Sequence, residues 1–148
     1  RSNNAATVAS VQPDNGVRKI LYAARTHSQL SQFLAEVRKT KWGNSLRAIA
    51  LGGRSTAGLC GYLSKEANAR SKSDAYWTET CLDMQKTKTG KRTKSGCPYK
   101  SNPDAVSTLA LHLLSRPTDI EETARLGRAV QTCAYYASRE AIAAAELV

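Results

Sequence analysis

The 148-residue sequence has no initiator Met, and no apolar run in it approaches the ~18 residues of a membrane span. Its polar opening, Arg1 to Asn4, lacks the pattern of a secretory signal. The chain therefore reads as soluble and intracellular with no membrane partner, and its apolar end, Ala143 to Val148, reads as cut within an element, so a partial sequence is expected. Nucleotide-hydrolysis motifs are missing as well. A phosphate loop of the form G-x-x-x-x-G-K-[ST] needs Gly for close backbone approach, Lys to reach the phosphates and a hydroxyl for Mg²⁺. Gly90-Lys91 is followed by Arg92, and Gln85 stands where the first Gly belongs. No Asp-Glu pair is present to bind metal as a Walker B or DEAH box does. Close Cys pairs and internal repeats are also absent.

Acidic residues are scarce relative to basic ones: 12 Asp and Glu face 22 Lys and Arg, a formal charge of +10. Such an excess favours a polyanionic partner. The densest stretch holds Lys86, Lys88, Lys91, Arg92, Lys94 and Lys100 with no acid among them, which suits a nucleic-acid contact or, equally, a solvated basic loop.

Residues 1–16 end in Pro13-Asp14-Asn15-Gly16 and read as a loop or insertion. Val17 to Ala24 reads as a strand, with Ile20, Leu21, Tyr22, Ala23 and Ala24 forming a near-continuous apolar run of the kind found in buried parallel strands. Thr26-x-x-Gln29 is a capping-box pattern opening a helix with Leu30, Phe33, Leu34 and Val37 on one face and Arg38, Lys39 and Lys41 near its negative end. Gly43 ends the connection, and Leu46 to Leu51 reads as a second strand. Residues 17–51 thus predict a βαβ unit with parallel strands, part of an α/β fold. Beyond Gly52-Gly53 the pattern is helical. A helix is expected over Ser73 to Gln85 with Trp77, Cys81 and Met84 on one side, and another after Asn102-Pro103 with Val106, Leu109, Ala110 and Leu113 sharing a face. Thr118-x-x-Glu121 predicts a capping box for a helix to about Val130 that buries Ile120, Ala124 and Gly127, and a last helix is expected from about Tyr136 to Leu147.

Cys60, Cys81, Cys97 and Cys133 are separated by 20, 15 and 35 residues, all in the helical part. Four Cys in one region fit a four-iron cluster or structural zinc, although zinc sites usually show a close C-x₂₋₄-C pair. Disulfides and unconnected buried cysteines also remain open on spacing alone. Cys97-Pro98-Tyr99 and Cys133-Ala134-Tyr135-Tyr136 set aromatic rings beside potential ligands, where they would shield a metal centre or simply fill core.

Four ordered blocks carry a more specific signal. They are Lys19-Ile20-Leu21-Tyr22 leading into Arg25-Thr26-His27-Ser28-Gln29-Leu30-Ser31-Gln32-Phe33, then Cys81-Leu82-Asp83-Met84-Gln85-Lys86, then Cys97-Pro98-Tyr99, and finally Asp119-Ile120-Glu121-Glu122 with Leu126-Gly127 running into Cys133. Over most of residues 17–148 the chain resembles the XPD-like family of superfamily 2 DNA helicases, on the branch known for sister-chromatid cohesion. The resemblance implies an internal segment of a 5′-to-3′ motor. Residues 17–52 would belong to a RecA-like parallel-sheet domain with motif Ia, 53–136 to an inserted, mostly helical four-Cys iron–sulfur domain, and 137–148 to a return helix.

The same resemblance implies a 4Fe-4S cluster on Cys60, Cys81, Cys97 and Cys133, with ATP and Mg²⁺ bound by motifs outside these residues. It further implies contacts to single-stranded and forked DNA from Arg25, Thr26, His27, Ser28, Gln29 and Arg54, a nuclear location, and replication or cohesion proteins as partners; Tyr135 and Tyr136 are candidates on their own chemistry, as rings on which bases of a single strand stack. Residue chemistry is compatible: Arg25 brings charge, and Thr26 and Ser28 bring hydroxyls to a helix N-terminus that favours anions. Lys91, Arg92 and Lys94 are further candidates for strand contact. The sequence departs from the family in two places. Arg54 stands six residues before Cys60, farther than the corresponding Arg in the family, and Ala134 follows Cys133 where the family has Pro. A zinc-stabilised nucleic-acid-binding module without a motor is the alternative, and a redox enzyme would require a second cofactor motif that the sequence lacks.

Overall fold

The structure, a computed structural model, describes residues 18–86 and 96–148. The expected loop 1–16, Val17, and the basic residues Lys88, Lys91, Arg92 and Lys94 lie outside the described residues. Five α-helices are described: α1 His27–Lys39, α2 Asp74–Gln85, α3 Pro103–Leu113, α4 Ile120–Ala129 and α5 Ala134–Ala141, with three short 3₁₀ turns between α1 and α2.

Each of the first four helices starts where a side chain satisfies a free amide. Thr26 accepts from the Gln29 amide at 3.3 Å, Ser73 from Tyr76 at 3.2 Å, and Asn102 from Ala105 at 3.2 Å, with Pro103 in the first turn of α3. For α4 the cap is Asp119, which accepts from Glu122 at 2.8 Å, one residue later than the Thr118 box predicts. Thr118 is buried, donates its hydroxyl to the Arg116 carbonyl and bridges to Ile49, so it belongs to the extended approach, and the carboxylate takes the cap. Burial follows the expected faces: Val106, Leu109, Ala110 and Leu113 of α3, and Ile120, Ala124 and Gly127 of α4, are all buried.

Two core clusters meet around α5. One joins Ile49 and the α3 face to Ala137, Ala141 and Ala145, and the small residues let the two helices approach closely. The other joins Leu34 of α1 to Ala48, Ala50, Leu59, Ile120, Ala124, Ala134 and Leu147. Leu113, fully buried, alone contributes roughly 1.5–3 kcal/mol of apolar transfer.

The two predicted strands take a reduced form: among the described residues there is no strand, only parallel bridges of Ile20 and Ala48 to Leu147 and of Ile49 to Thr118. The expected neighbours of the βαβ unit do not pair with each other, because the segment at 146–148 lies between them. The Ile20 amide donates to Glu146 at 2.7 Å and the Tyr22 amide to Val148 at 2.8 Å, while the Ile49 amide donates to Leu147 at 3.0 Å from the other side. Among the described residues, 20–22 therefore pair on one side only, and Ile20, read as buried, is 57% exposed. This pairing also ends the last helix early. α5 stops at Ala141, and its closing turns are capped by the Lys19 ammonium, which donates to the carbonyls of Ile142, Ala143 (3.1 Å) and Ala145 (2.8 Å), freeing the chain to extend.

Gly127 lies where α4 passes close to the start of α5. A Cβ there would lie 2.6 Å from the Ala134 Cβ and 2.9 Å from the Thr132 carbonyl oxygen, and the backbone atom cannot move aside. Gly127→Ala gains about 1 kcal/mol of helix propensity but overpacks by about 1–3 kcal/mol, so a net loss is expected. Urea unfolding of the chain should show a lowered midpoint, whereas Gly96→Ala, with nothing within 4 Å of its Cβ, should leave it unchanged.

Candidate functional site

The four thiols arrive from four separate elements. Cys60 follows the first 3₁₀ turn, Cys81 lies within α2, Cys97 opens a tight turn and Cys133 is the residue before α5. All are free, and their exposures are only 4, 4, 5 and 5%. Cys60 and Cys81 pack with Leu63, Ala69 and Trp77, and Cys97 and Cys133 with Tyr99, while Met84 and Tyr136 touch both groups. The two pairs thus border a shared region. The Cys133 amide donates to the Tyr99 carbonyl at 2.7 Å, which ties the Cys97 turn to the start of α5.

Burial pushes the Cys60 thiol up to about 11, with Cys133, Cys81 and Cys97 each adding to the resistance against ionisation. Burial also raises Cys97 and Cys133, and neighbouring thiols add to each upward shift. Every one of the four sulfurs nevertheless meets N–H donors. The Leu63 amide points to Cys60, the Tyr99 and Lys100 amides to Cys97, and the Tyr136 and Tyr135 amides to Cys133. The Gln85 amide donates to the Cys81 sulfur at 3.2 Å, and the Arg54 guanidinium is its second partner. Such a set is poor for lone thiolates and suited to thiolates whose charge is shared with a cation. Among the described residues no group of three or more His, Cys, Asp or Glu is arranged to hold a metal ion.

A cationic and aromatic layer lies against the thiols. Arg54 stacks over the Tyr135 ring at 4.0 Å and reaches the Tyr136 hydroxyl at 3.5 Å. Burial works against its charge, but hydrogen bonds to Cys81 and Tyr136 outweigh this and hold its pKa above the ordinary arginine value. Arg139 lies 3.4 Å from the Tyr135 ring and donates to the carbonyls of Tyr135 at 3.0 Å and Gly52 at 2.9 Å. Lys100 lies 4.0 Å from the Tyr136 ring and donates to Gln85, whose amide also reaches the Tyr136 hydroxyl at 3.1 Å. Tyr135 and Tyr136 are half-buried and already hold cations against their rings.

Gln85, Lys100 and Arg139 were missed by sequence reasoning. Helical spacing carried a signal, since Gln85 follows Cys81 and Arg139 follows Tyr135 by one turn.

Arg25, Thr26, His27, Ser28 and Gln29 come together separately, at the exposed N-terminus of α1. Thr26 uses an oxygen lone pair for the cap, so its hydroxyl proton is still available, and the amides of His27 and Ser28 have no partner among the described residues. Among the described residues Arg25 forms no ion pair. An open concavity of about 440 Å³ runs beside it, lined by Arg25, Gln29, Gln32, Phe33 and Glu36 among others, with Glu36 paired to Lys39 and Phe33 stacked on Tyr22 at 3.9 Å.

The DEAD_2 family matches residues 22–148. The ATP-dependent DNA helicase DDX11 of Mus musculus is 34% identical over 145 residues, covering 89% of this chain and 15% of that protein. Its Homo sapiens counterpart is 32% identical, covering 89% and 14%. The ATP-dependent DNA helicase CHL1 of Yarrowia lipolytica is 33% identical, covering 88% and 17%. The chain thus spans about 15% of the length of the relatives it matches. No solved structure matches it. Matched across all of its helices and all four cysteines, the chain belongs to the DEAD_2 family of XPD-like helicases, on the branch of the DDX11 and CHL1 proteins.

Proposed function

We propose that the chain is a segment of an ATP-dependent 5′-to-3′ DNA helicase, in which Cys60, Cys81, Cys97 and Cys133 hold a 4Fe-4S cluster and the N-terminus of α1 grips a single DNA strand. The observation that carries this reading is the convergence of four buried free thiols, each facing N–H donors, around Met84 and Tyr136. A bound cluster would supply four iron–thiolate bonds between elements that otherwise share little core. Gln85 and Arg54 would orient Cys81 and offset sulfur charge, while Tyr99, Tyr135 and Tyr136 would exclude water. Residues 17–52 are read as part of the RecA-like domain and 53–136 as the inserted cluster domain, set where a forked duplex separates. ATP and Mg²⁺ would bind motifs outside these residues, and the parent protein would work in the nucleus with replication or cohesion proteins.

Arg25, Thr26 and Ser28 are read as phosphate contacts: a guanidinium, two hydroxyls and two free amides at the positive end of a helix dipole. No base edge is read by such a set, so sequence preference should be weak. Arg54, Tyr135 and Tyr136 would meet the strand at the outer face of the tyrosine layer, with Arg54 also serving the cluster.

Anaerobically purified chain is expected to be yellow-brown with about four iron and four sulfide. Cys97→Ser should lose that iron. Colourless protein with one zinc per chain would instead establish a zinc-stabilised nucleic-acid-binding module.

For the strand grip, Arg25→Ala should weaken binding to all single-stranded sequences alike and flatten the salt dependence by about 0.7 of a slope unit, the value for one phosphate contact. A changed base preference at constant slope would refute the assignment.

A further inference from the structure

A second concavity, of about 570 Å³, adjoins the Cys60 and Cys81 cluster through Ala69 and Trp77 and is lined by Arg70, Lys72, Trp77 and Arg128 together with Ser55 and Ser64. No carboxylate lines it. None of the three cations makes an ion pair among the described residues, although elsewhere Arg38, Arg116 and Arg125 gather on Glu122. The serine hydroxyls are already committed, Ser55 to Asp74 and Ser64 to the Gly61 carbonyl at 3.1 Å, which leaves the cations as the donors.

Arg128 is held in place by the backbone. Its Nη1 donates to the carbonyls of Ala57 and Gly58, both at 3.2 Å, and this leaves Nε and Nη2 for a ligand. Glycine makes room for the side chain: a Cβ at Gly58 would lie 3.1 Å from Nη1, and one at Gly61 2.9 Å from the Arg128 Cγ. Gly58 also has φ +71, a conformation that suits glycine. Trp77 is 4% exposed, and its buried indole N–H has no partner, so the wall carries one more uncompensated positive dipole. Three like charges around one hollow repel each other unless an anion lies among them.

We infer that this hollow is a second phosphate-binding site for the DNA strand, with Arg128 as its fixed guanidinium and the exposed Arg70 and Lys72 as its partners. The ligand class is a phosphodiester. A forked guanidinium matches its paired oxygens, and cations contributed by two separated parts of the chain suit a passing backbone better than one compact ion. The inference rests on the proposed DNA function and adds a contact independent of α1.

Trp77 provides a local reporter, because the chain has two Trp and the exposed Trp42 can be replaced. In a Trp42→Phe background, titration of the cluster-loaded chain with oligo-dT should shift Trp77 emission. Adding Arg70→Ala and Lys72→Ala, both at exposed positions, should abolish that shift, weaken oligo-dT binding and flatten the salt slope by about 1.4, two contacts at about 0.7 each. Unchanged affinity and slope in the double variant would overturn the site. If Arg25→Ala still weakened binding, the α1 grip would survive that failure. A Trp77 response to inorganic phosphate but not to oligo-dT would also overturn the strand reading, in favour of a free-phosphate site. If the double variant weakened binding and Arg25→Ala did not, this site would stand and the α1 assignment would fall.

Discussion

The structure is organised around the burial of four thiols that come from different elements. Bringing them together costs desolvation and mutual repulsion whenever they ionise, which is why the Cys60 thiol is pushed up to about 11. The surroundings answer that cost with backbone amides at three sulfurs and with Gln85 and Arg54 at the fourth. Several features of the fold serve the same arrangement. The Cys133 amide is anchored to Tyr99, Gly127 lets α4 pass close to Ala134 just after Cys133, and Met84 and Tyr136 close the space between the two thiol pairs.

Charge is the second organising theme, and it is handled differently in different places. Near the thiols, Arg54, Lys100 and Arg139 lie over Tyr135 and Tyr136, so their cations are held by π-faces and by carbonyl or amide oxygens. On α4, Glu122 gathers three arginines. Among the described residues, Arg25 at the N-terminus of α1 and Arg70, Lys72 and Arg128 around the second hollow form no ion pair. Those two places are where a polyanion would gain most, and together they give the net charge of +10 a spatial meaning that composition lacks.

Helices were largely legible because their signals are local. Caps at Thr26 and Asn102 and the buried faces of α3 and α4 depend on residues within a turn or two of each other. Strands were less legible because pairing is not local: nothing in Ile20 to Ala24 or Leu46 to Leu51 says that Leu147 will lie between them. The same blindness hid the early end of α5, which depends on Lys19, more than a hundred residues away in the chain. At the candidate site, the four cysteines stood out by type, and all four are buried, in two clusters that share Met84 and Tyr136. Arg54, displaced in sequence, still reaches Cys81 and the tyrosine pair, because folding brings it to α2 and α5 by a path that spacing does not show. Lys100 and Arg128 carry no motif, and their roles emerge only from what surrounds them.

If one centre ties these elements together, its loss should loosen them together. Hydrogen exchange on the anaerobic chain before and after iron chelation measures this directly. The account requires protection to fall in concert at α2, at residues 97–100 and at the start of α5, while the α3 face packed on Ala137 and Ala141 keeps more of its own. Unchanged exchange, or loss confined to one loop, would contradict a single centre held by Cys60, Cys81, Cys97 and Cys133.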